Sequence, residues 1–397
     1  MLAVVGATVY ASPTAQALPD AVVLVRDSVI YRVGPRGRVK VPAGARIVDA
    51  RGLTLTAGFW NCHVHFMEPQ WLRADSLPAE QLTRQLQQML TCYGFTRAFD
   101  LAALESGFQS LLRLRQRIAR GEVLGPTIYC VGVPMTPVSP FYVAPLRLPE
   151  VHTPAQVATH VAQQAARGAN GIKIWSASPT GQTIVPMDVE LIRAAVAAAH
   201  ARGLPVFAHP TNNAGVAAAA AGGVDVVVHV SPEDRQNWSP ELIGQLLANR
   251  VALIPTLKLY QWDLERTGHQ AATHSLLLTA VEQLRTYAAT GGQIVFGTDV
   301  GFMSDYSPTE EYALMGQAGL SFRQILAALT TNPAQRFRPA EAVGRVAPGQ
   351  RADLVLLAAD PATDVRNLSN VAYTIRNGRI IYQAGKYGLV KGHSAPR

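Results

Sequence analysis

Along the middle of the chain, apolar runs of five to eight residues alternate with longer segments in which apolar positions recur every third or fourth residue. The first pattern suits a strand buried on both faces, and the second suits a helix with one apolar stripe. The runs are "TRAFDLA", "PTIYCVGVPM", "GIKIWSA", "LPVFAHP", "VDVVVHV", "VALIPTL" and "QIVFGTD"; helical segments such as "PAQVATHVAQQAARG", "VELIRAAVAAAHARG" and "PELIGQLLANR" lie between them. "FWNCHVH" precedes them and makes eight strands. Buried parallel strands separated by helices predict a (β/α)8 TIM barrel.

Both ends of the chain have another rhythm. Short apolar runs broken by turns, "LAVVGATVY", "AVVLVRDSVIYRVG" and "ARIVDARGLTL", fill the first stretch, and "ADLVLLA" and "VAYTIRNGRIIY" follow the last helices. The last segment is expected to pair with the first, closing a small β-sandwich built from both termini. The predicted fold is therefore α/β, with residues 1–55 and 336–397 forming the sandwich and 56–335 the barrel. The tail "KGHSAPR" is expected to be poorly ordered.

Composition narrows the function. With 397 residues, 48% of them hydrophobic, the chain has ample material for a large core. Its formal charge of +8 is spread along the sequence and is not gathered into a basic stripe with aromatics, so no nucleic-acid partner is expected. Cys62, Cys92 and Cys130 lie far apart without CxxC spacing, which fits a reducing compartment. The opening "MLAVVGATVYASP" reads as a strand and not as a secretory signal, and "GVAAAAAGGVDVVVHV" is too short and too interrupted to span a bilayer. The expectation is a cytoplasmic protein with no membrane partner and a small-molecule substrate.

Chemistry in such a barrel gathers at the C-terminal ends of the strands. Those ends carry His63 and His65 after the first strand, Lys173 on the fourth, His209 on the fifth, His229 on the sixth and Asp299 on the eighth. In a strand, residues two apart share a face, so the imidazoles of His63 and His65 project together. Each of these polar groups ends or interrupts an apolar run, where burial is costly unless the group is paired or coordinated. Four imidazoles and a carboxylate suit zinc or a similar divalent ion. A desolvated lysine loses its proton readily, and its free amine can add carbon dioxide to give a carbamate whose two oxygens bridge two cations.

On these residues the sequence resembles the amidohydrolase superfamily, in its binuclear branch with a carboxylated lysine, and is most similar to imidazolonepropionase-like and prolidase-type (Xaa-Pro dipeptidase) members. "VPAGARIVDARGLTLTAGFWNCHVH", "GRVAPGQRADLVLLAADP" and "LTTNPAQRF" extend the likeness over nearly the whole chain. The resemblance implies that His63, His65 and Asp299 hold one metal and His209 and His229 the other, with the Lys173 carbamate and a hydroxide between them. It also implies that Asp299 acts as general acid and base, and that the assembly is a homo-oligomer. The activity implied is cleavage of a C–N bond in a dipeptide, N-acyl amino acid or aryl amide. A mononuclear deaminase or cyclic-amide hydrolase is an alternative, as is a hydrolase of carbamates, lactones or phosphotriesters, or a scaffold without activity. The deaminase reading ranks lower because Lys173 is present and Asn212 stands where such relatives carry a glutamate.

Three positions depart from the family pattern. Asn61 replaces an aspartate common before the first histidine, "PMTPVSPFYVAPLRLPE" lacks a Gly-Gly-His loop, and "GFMSDYSPTEEY" lacks a histidine. The loops instead offer Phe141, Tyr142, Trp175, Tyr260, Trp262, Phe302 and Met303, which favours a bulky apolar substrate; Trp175, Tyr142, Tyr260 and Phe302 are the substrate-binding candidates. Arg147 and Lys258 are candidates to meet a substrate carboxylate. His152, His160, His200, His269, His274 and His393 read as structural or surface residues, and Cys62 as a buried small side chain pointing away from the metal side.

Overall fold

The computed structural model describes residues 1–141, 147–181, 183–267 and 270–385. Five strands open the chain: β1 (Leu2–Val9), β2 (Leu18–Arg26), β3 (Val29–Pro35), β4 (Arg46–Asp49) and β5 (Thr54–Ala57). Next come β6 (Phe59–Val64), β7 (Phe95–Asp100), β8 (Thr127–Cys130), β9 (Ile172–Trp175), the short β10 (Ala177–Pro179) and β11 (Ile184–Pro186), β12 (Val206–His209), β13 (Val226–Val228) and β14 (Ala252–Ile254). The last three strands are β15 (Leu354–Leu357), β16 (Val371–Arg376) and β17 (Arg379–Gln383).

The two ends of the chain do share one sheet. Its order is β17-β16-β15-β5-β1-β2-β3, with β4 also paired to β1. The junction is β5, which runs parallel to β1 (Thr8 opposite Thr54) and antiparallel to β15 (Val355 opposite Thr56). Val4, Val23, Leu55, Leu354 and Ile375 enter one buried cluster, so residues some 350 apart in sequence exclude water together.

The middle of the chain builds two parallel sheets, β6-β7-β8 and β9-β12-β13-β14 in spatial order. Isolated parallel bridges link their edges: Met135 with Ile174, Leu253 with Ile294, and Val64 with Val300. The run expected as the eighth strand is thus tied at Ile294 and Val300 without forming a continuous ladder.

Helices cover these sheets for a legible reason. In Pro154–Ala166, Val157, His160, Val161 and Gln164 share the buried stripe, and Thr153 and Gln156 cap the first turn reciprocally. Strand residues then divide by alternation. Val206 and Ala208 of β12 pack with the helix-facing core, whereas Phe207 joins Trp60, Phe99, Val228 and Ile254 in a second cluster. Burying a side chain such as Phe207 contributes about 2 kcal/mol, and His209 continues its side of the strand. No helix among the described residues is long and apolar enough to cross a membrane.

Candidate metal centre

The first histidine pair stands where β6 ends. Asn61 ties this strand to the segment carrying Asp299: its Nδ2 donates to Thr298 Oγ1 at 2.7 Å, and its Oδ1 accepts from the N–H groups of Thr298 at 3.2 Å and His63 at 3.3 Å. An amide does this better than the family's aspartate, because it both donates and accepts. A register shift between Asn61 and Val64 interrupts strict alternation. Cys62 is buried as expected, but it joins Trp60 and Phe207 in the second cluster instead of facing the helices. The sequence-based placement of its side chain fails because a bulge breaks the period of two.

Asp299 is held by backbone geometry that its neighbours make possible. Its φ is 64°, in the left-handed region, and its N–H donates to His63 O at 2.9 Å. Gly301, with φ of 95°, lies so close to His65 that a Cβ there would come within 1.9 Å of the His65 carbonyl oxygen. Gly297 would similarly press on the Cβ of His63, at 2.7 Å. Only glycine permits both approaches. His229 follows β13 with φ of 78°, and Thr256, which it contacts, has φ of 47°. Strained backbone concentrated at one spot is the mark of a site that the surrounding structure over-determines.

The side chains converge. Asp299 Oδ1 lies 3.0 Å from His63 Nε2 and 2.7 Å from His65 Nε2, and the two Nε2 atoms are 3.1 Å apart. All are buried, yet Asp299 Oδ1 makes no hydrogen bond of ordinary geometry. Three lone-pair-bearing atoms pressed together repel unless a proton or a cation sits among them, and this donor set suits a divalent ion. Further along, the His63 and His229 rings lie 4.8 Å apart, as do those of His209 and His229. Trp175 stacks on His209 at 3.7 Å between ring centroids, with the planes inclined by 25°.

Burial and neighbouring charges set the protonation states of these groups. Burial pushes the imidazole of His63 down to about 4, against the opposing pull of Asp299, and burial drives His209 and His229 well below the usual histidine range. All three are neutral, as ligation requires. Burial works against the Asp299 carboxylate, but the adjacent His63 and His65 outweigh it and hold the carboxyl well below its ordinary range. Lys173 is 4% exposed. Burial brings its amine down to about 7 while Asp299 resists. For His229, the Thr256 hydroxyl donates to Pro255 O at 2.8 Å, so its oxygen accepts the Nδ1–H of the imidazole at 2.6 Å and leaves Nε2 with a free lone pair.

The amidohydrolase family model matches residues 54–381. The chain belongs to the amidohydrolase family. It is a hydrolase acting on C–N bonds. Similar solved structures include a Xaa-Pro dipeptidase with methionine bound in its active site, at 21% identity and a TM-score of 0.81 over 96% of this chain and 99% of that one. A candidate prolidase from Bifidobacterium longum is 27% identical, with a TM-score of 0.82 over 96% and 94% of the two chains. Molinate hydrolase is 20% identical, with a TM-score of 0.78 over 100% and 97%. Comparison with curated proteins gives no match.

Other expected residues of this amidohydrolase are placed as follows. Lys258 is not free to meet a substrate carboxylate: it is buried, and its Nζ pairs with Asp305 Oδ2 at 2.8 Å and donates to the carbonyls of Asp305 and Ser307 at 3.0 and 2.5 Å. Tyr260 donates its hydroxyl to Val230 O at 2.6 Å, just past His229. Phe302 is 45% exposed and meets Trp262 edge-on at 6.2 Å. Met303 is buried, whereas Phe141 and Arg147 are exposed. Tyr142, His269 and His393 lie outside the described residues. His160 and His200 are structural, bonded to Val133 O and to Asp225 Oδ2, both at 2.8 Å.

Sequence reasoning missed two residues beside the centre. Thr256, which fixes the His229 tautomer, carries no signal beyond its position after an apolar run. Asp100 ends β7 fully buried, accepts the Phe66 N–H at 2.9 Å and is pushed by burial up to about 6 although His65 draws it down. A carboxylate closing the run "TRAFD" was the available clue.

Proposed function

We propose that this chain hydrolyses the amide bond of a dipeptide, N-acyl amino acid or aryl amide bearing a bulky apolar group, using two divalent metal ions of the zinc type. The observation that carries the reading is the meeting of His63, His65 and Asp299 atoms within 4.8 Å of one another, on elements that also bring His209, His229 and Lys173 to the same strand ends. His63, His65 and Asp299 would hold one ion, His209 and His229 the other, and Lys173 as its carbamate would bridge them. Two such ions supply Lewis acidity, polarising a carbonyl and making water a better nucleophile near neutral pH.

The protein's own groups do the remaining work. Asp299, an acceptor at the inner edge of the site, takes a proton from the attacking water and hands it to the departing nitrogen. The Lys173 amine, which burial brings down to about 7, loses its proton readily and is competent to add carbon dioxide. Thr256 keeps His229 in the tautomer that presents Nε2, and Trp175 presses on His209 and fixes its ring plane. Tyr260 and Phe302 are proposed to contact the apolar part of the substrate. The linking bridges at Met135, Ile294 and Val300 support a closed (β/α)8 barrel for residues 56–335, with 1–55 and 336–397 forming the accessory β-domain.

Metal analysis of the purified protein, combined with a screen of dipeptides, N-acyl amino acids and aryl amides with and without a chelator, tests this. About two ions per chain and chelator-sensitive amide cleavage are expected. The His63, His65 and Asp299 group by itself would serve a single-ion relative, and one ion per chain with ammonia released from a ring substrate would establish that alternative instead.

A further inference from the structure

The opposite ends of the same strands frame a second concave site. Segments ahead of β12, β13 and β14, the turn before Ile294, and residues 335–338 at the C-terminal end of the helix Thr331–Phe337 enclose a cleft of about 840 Å³. Pro205 lines it immediately before β12 begins, whereas His209 ends that strand. The cleft therefore lies about one strand length, ~13 Å, from the metal centre. Its volume falls in the range of small-molecule sites, roughly 300–1,000 Å³.

Its charge is unbalanced. Arg250, Arg336 and Arg338 line it against a single carboxylate, Asp225. That carboxylate is already engaged, by His200 Nε2 at 2.8 Å and by the Val206 N–H at 2.8 Å. None of the three arginines enters an ion pair among the described residues, although arginines elsewhere in the molecule commonly do. Arg336 is half-buried and fixed: its Nε donates to Gln293 Oε1 at 2.8 Å and its Nη2 to the carbonyl of Arg250 at 2.5 Å. Burial weakens its hold on the proton; Asp225 and Tyr287 oppose this, and the neighbouring Arg338 adds to it. A partly desolvated cation with one distant carboxylate and no direct ion pair is under-compensated, and a concave wall focuses its field. Guanidinium forks match tetrahedral oxyanions with two hydrogen bonds each.

We infer that this cleft binds a small organic molecule through a phosphate group seated among Arg336, Arg338 and Arg250. The site is independent of the amide-cleaving centre. Isothermal titration of the metal-loaded full chain tests it, with adenosine monophosphate and inorganic phosphate as probes and sodium chloride at matched ionic strength as the control. Saturable binding of one phosphate per chain is expected, tighter for the organic phosphate than for the inorganic ion, and weakened at least ~10-fold by Arg338→Gln. The double variant R336Q/R338Q should show no saturable binding. Arg338 makes no side-chain hydrogen bond or ion pair among the described residues, so its variant keeps the fold even if Arg336→Gln loosens the turn at Gln293; unfolding temperature and amide hydrolysis serve as controls. Phosphate binding that is unchanged in Arg338→Gln would place the anion at the metal centre or elsewhere and overturn the inference, as would the absence of saturable binding to the unaltered protein. Equal affinity for both probes would reduce the ligand to the free ion and overturn the organic part.

Discussion

Replacing Lys173 by alanine separates a bridging role from a structural one. The substitution removes three buried methylenes, worth about 0.8 kcal/mol each and so about 2 kcal/mol of stability. It also removes an amine that burial brings from 10.5 to about 7, a penalty that at neutral pH amounts to roughly 4 to 5 kcal/mol. The cavity left by the side chain adds to the first effect, so the two are of similar size. The metal-free variant should therefore unfold close to the temperature of the metal-free parent. If the Lys173 carbamate bridges two ions, the variant should retain at most one ion per chain and lose at least ~100-fold in kcat, more than the loss of a residue that merely orients a ligand. Metal content by elemental analysis, kcat on the best amide found in the screen, and thermal unfolding with and without metal make up the assay. Added acetate or propionate should restore part of the activity by placing a carboxylate where the carbamate stood. Full metal content with undiminished turnover in Lys173→Ala would refute the reasoning.

Other outcomes follow from the same geometry. Thr256→Val removes the acceptor of the His229 Nδ1–H, so metal affinity should fall ~10- to 100-fold with little change in the fold; competition with a chromogenic chelator measures it. Trp175→Ala frees the His209 ring and should weaken the second ion's binding, whereas Trp175→Phe keeps an aromatic face there and should retain it; equal metal content in both variants would count against the stacking role. Stability of the metal-free protein should also depend on pH in a definite direction. His63 is held near 4 in the folded chain against 6.5 when unfolded, so between these values the unfolded chain binds more protons and stability falls as the pH is lowered from 6.5 to 4. Denaturant midpoints of the metal-free protein at several pH values should show this slope, and His63→Asn should make it shallower, with His209 and His229 keeping part of it.

The candidate polar groups were legible early because they depend on local pattern. A polar residue that closes an apolar run stands out wherever it occurs, and His63, His65, Lys173, His209, His229 and Asp299 do so on five different runs. In the structure, strand alternation separates Val206 and Ala208 on one side of β12 from Phe207 on the other. Where a bulge broke the period, as at Cys62, the same reasoning failed. Lys258 shows a different limit: the sequence offers a cation beyond a strand end, but only the folded loops reveal that Asp305 and Ser307 already occupy it.

The sequence by itself determined the kinds of element, their order, and which ionisable groups stand at strand ends, since strand and helix periodicities are written within a dozen residues. Tertiary structure alone decided which groups meet and in what state. The bond from Asn61 to Thr298 spans 237 positions, and the close passage of Gly301 over His65 rests on a backbone conformation that no local pattern prescribes. The cleft of unpaired arginines draws on segments from residue 200 to residue 338. The neutrality of His209 and His229 and the lowered proton affinity of Lys173 arise from burial, which is a property of everything packed around a residue and not of its neighbours in the chain.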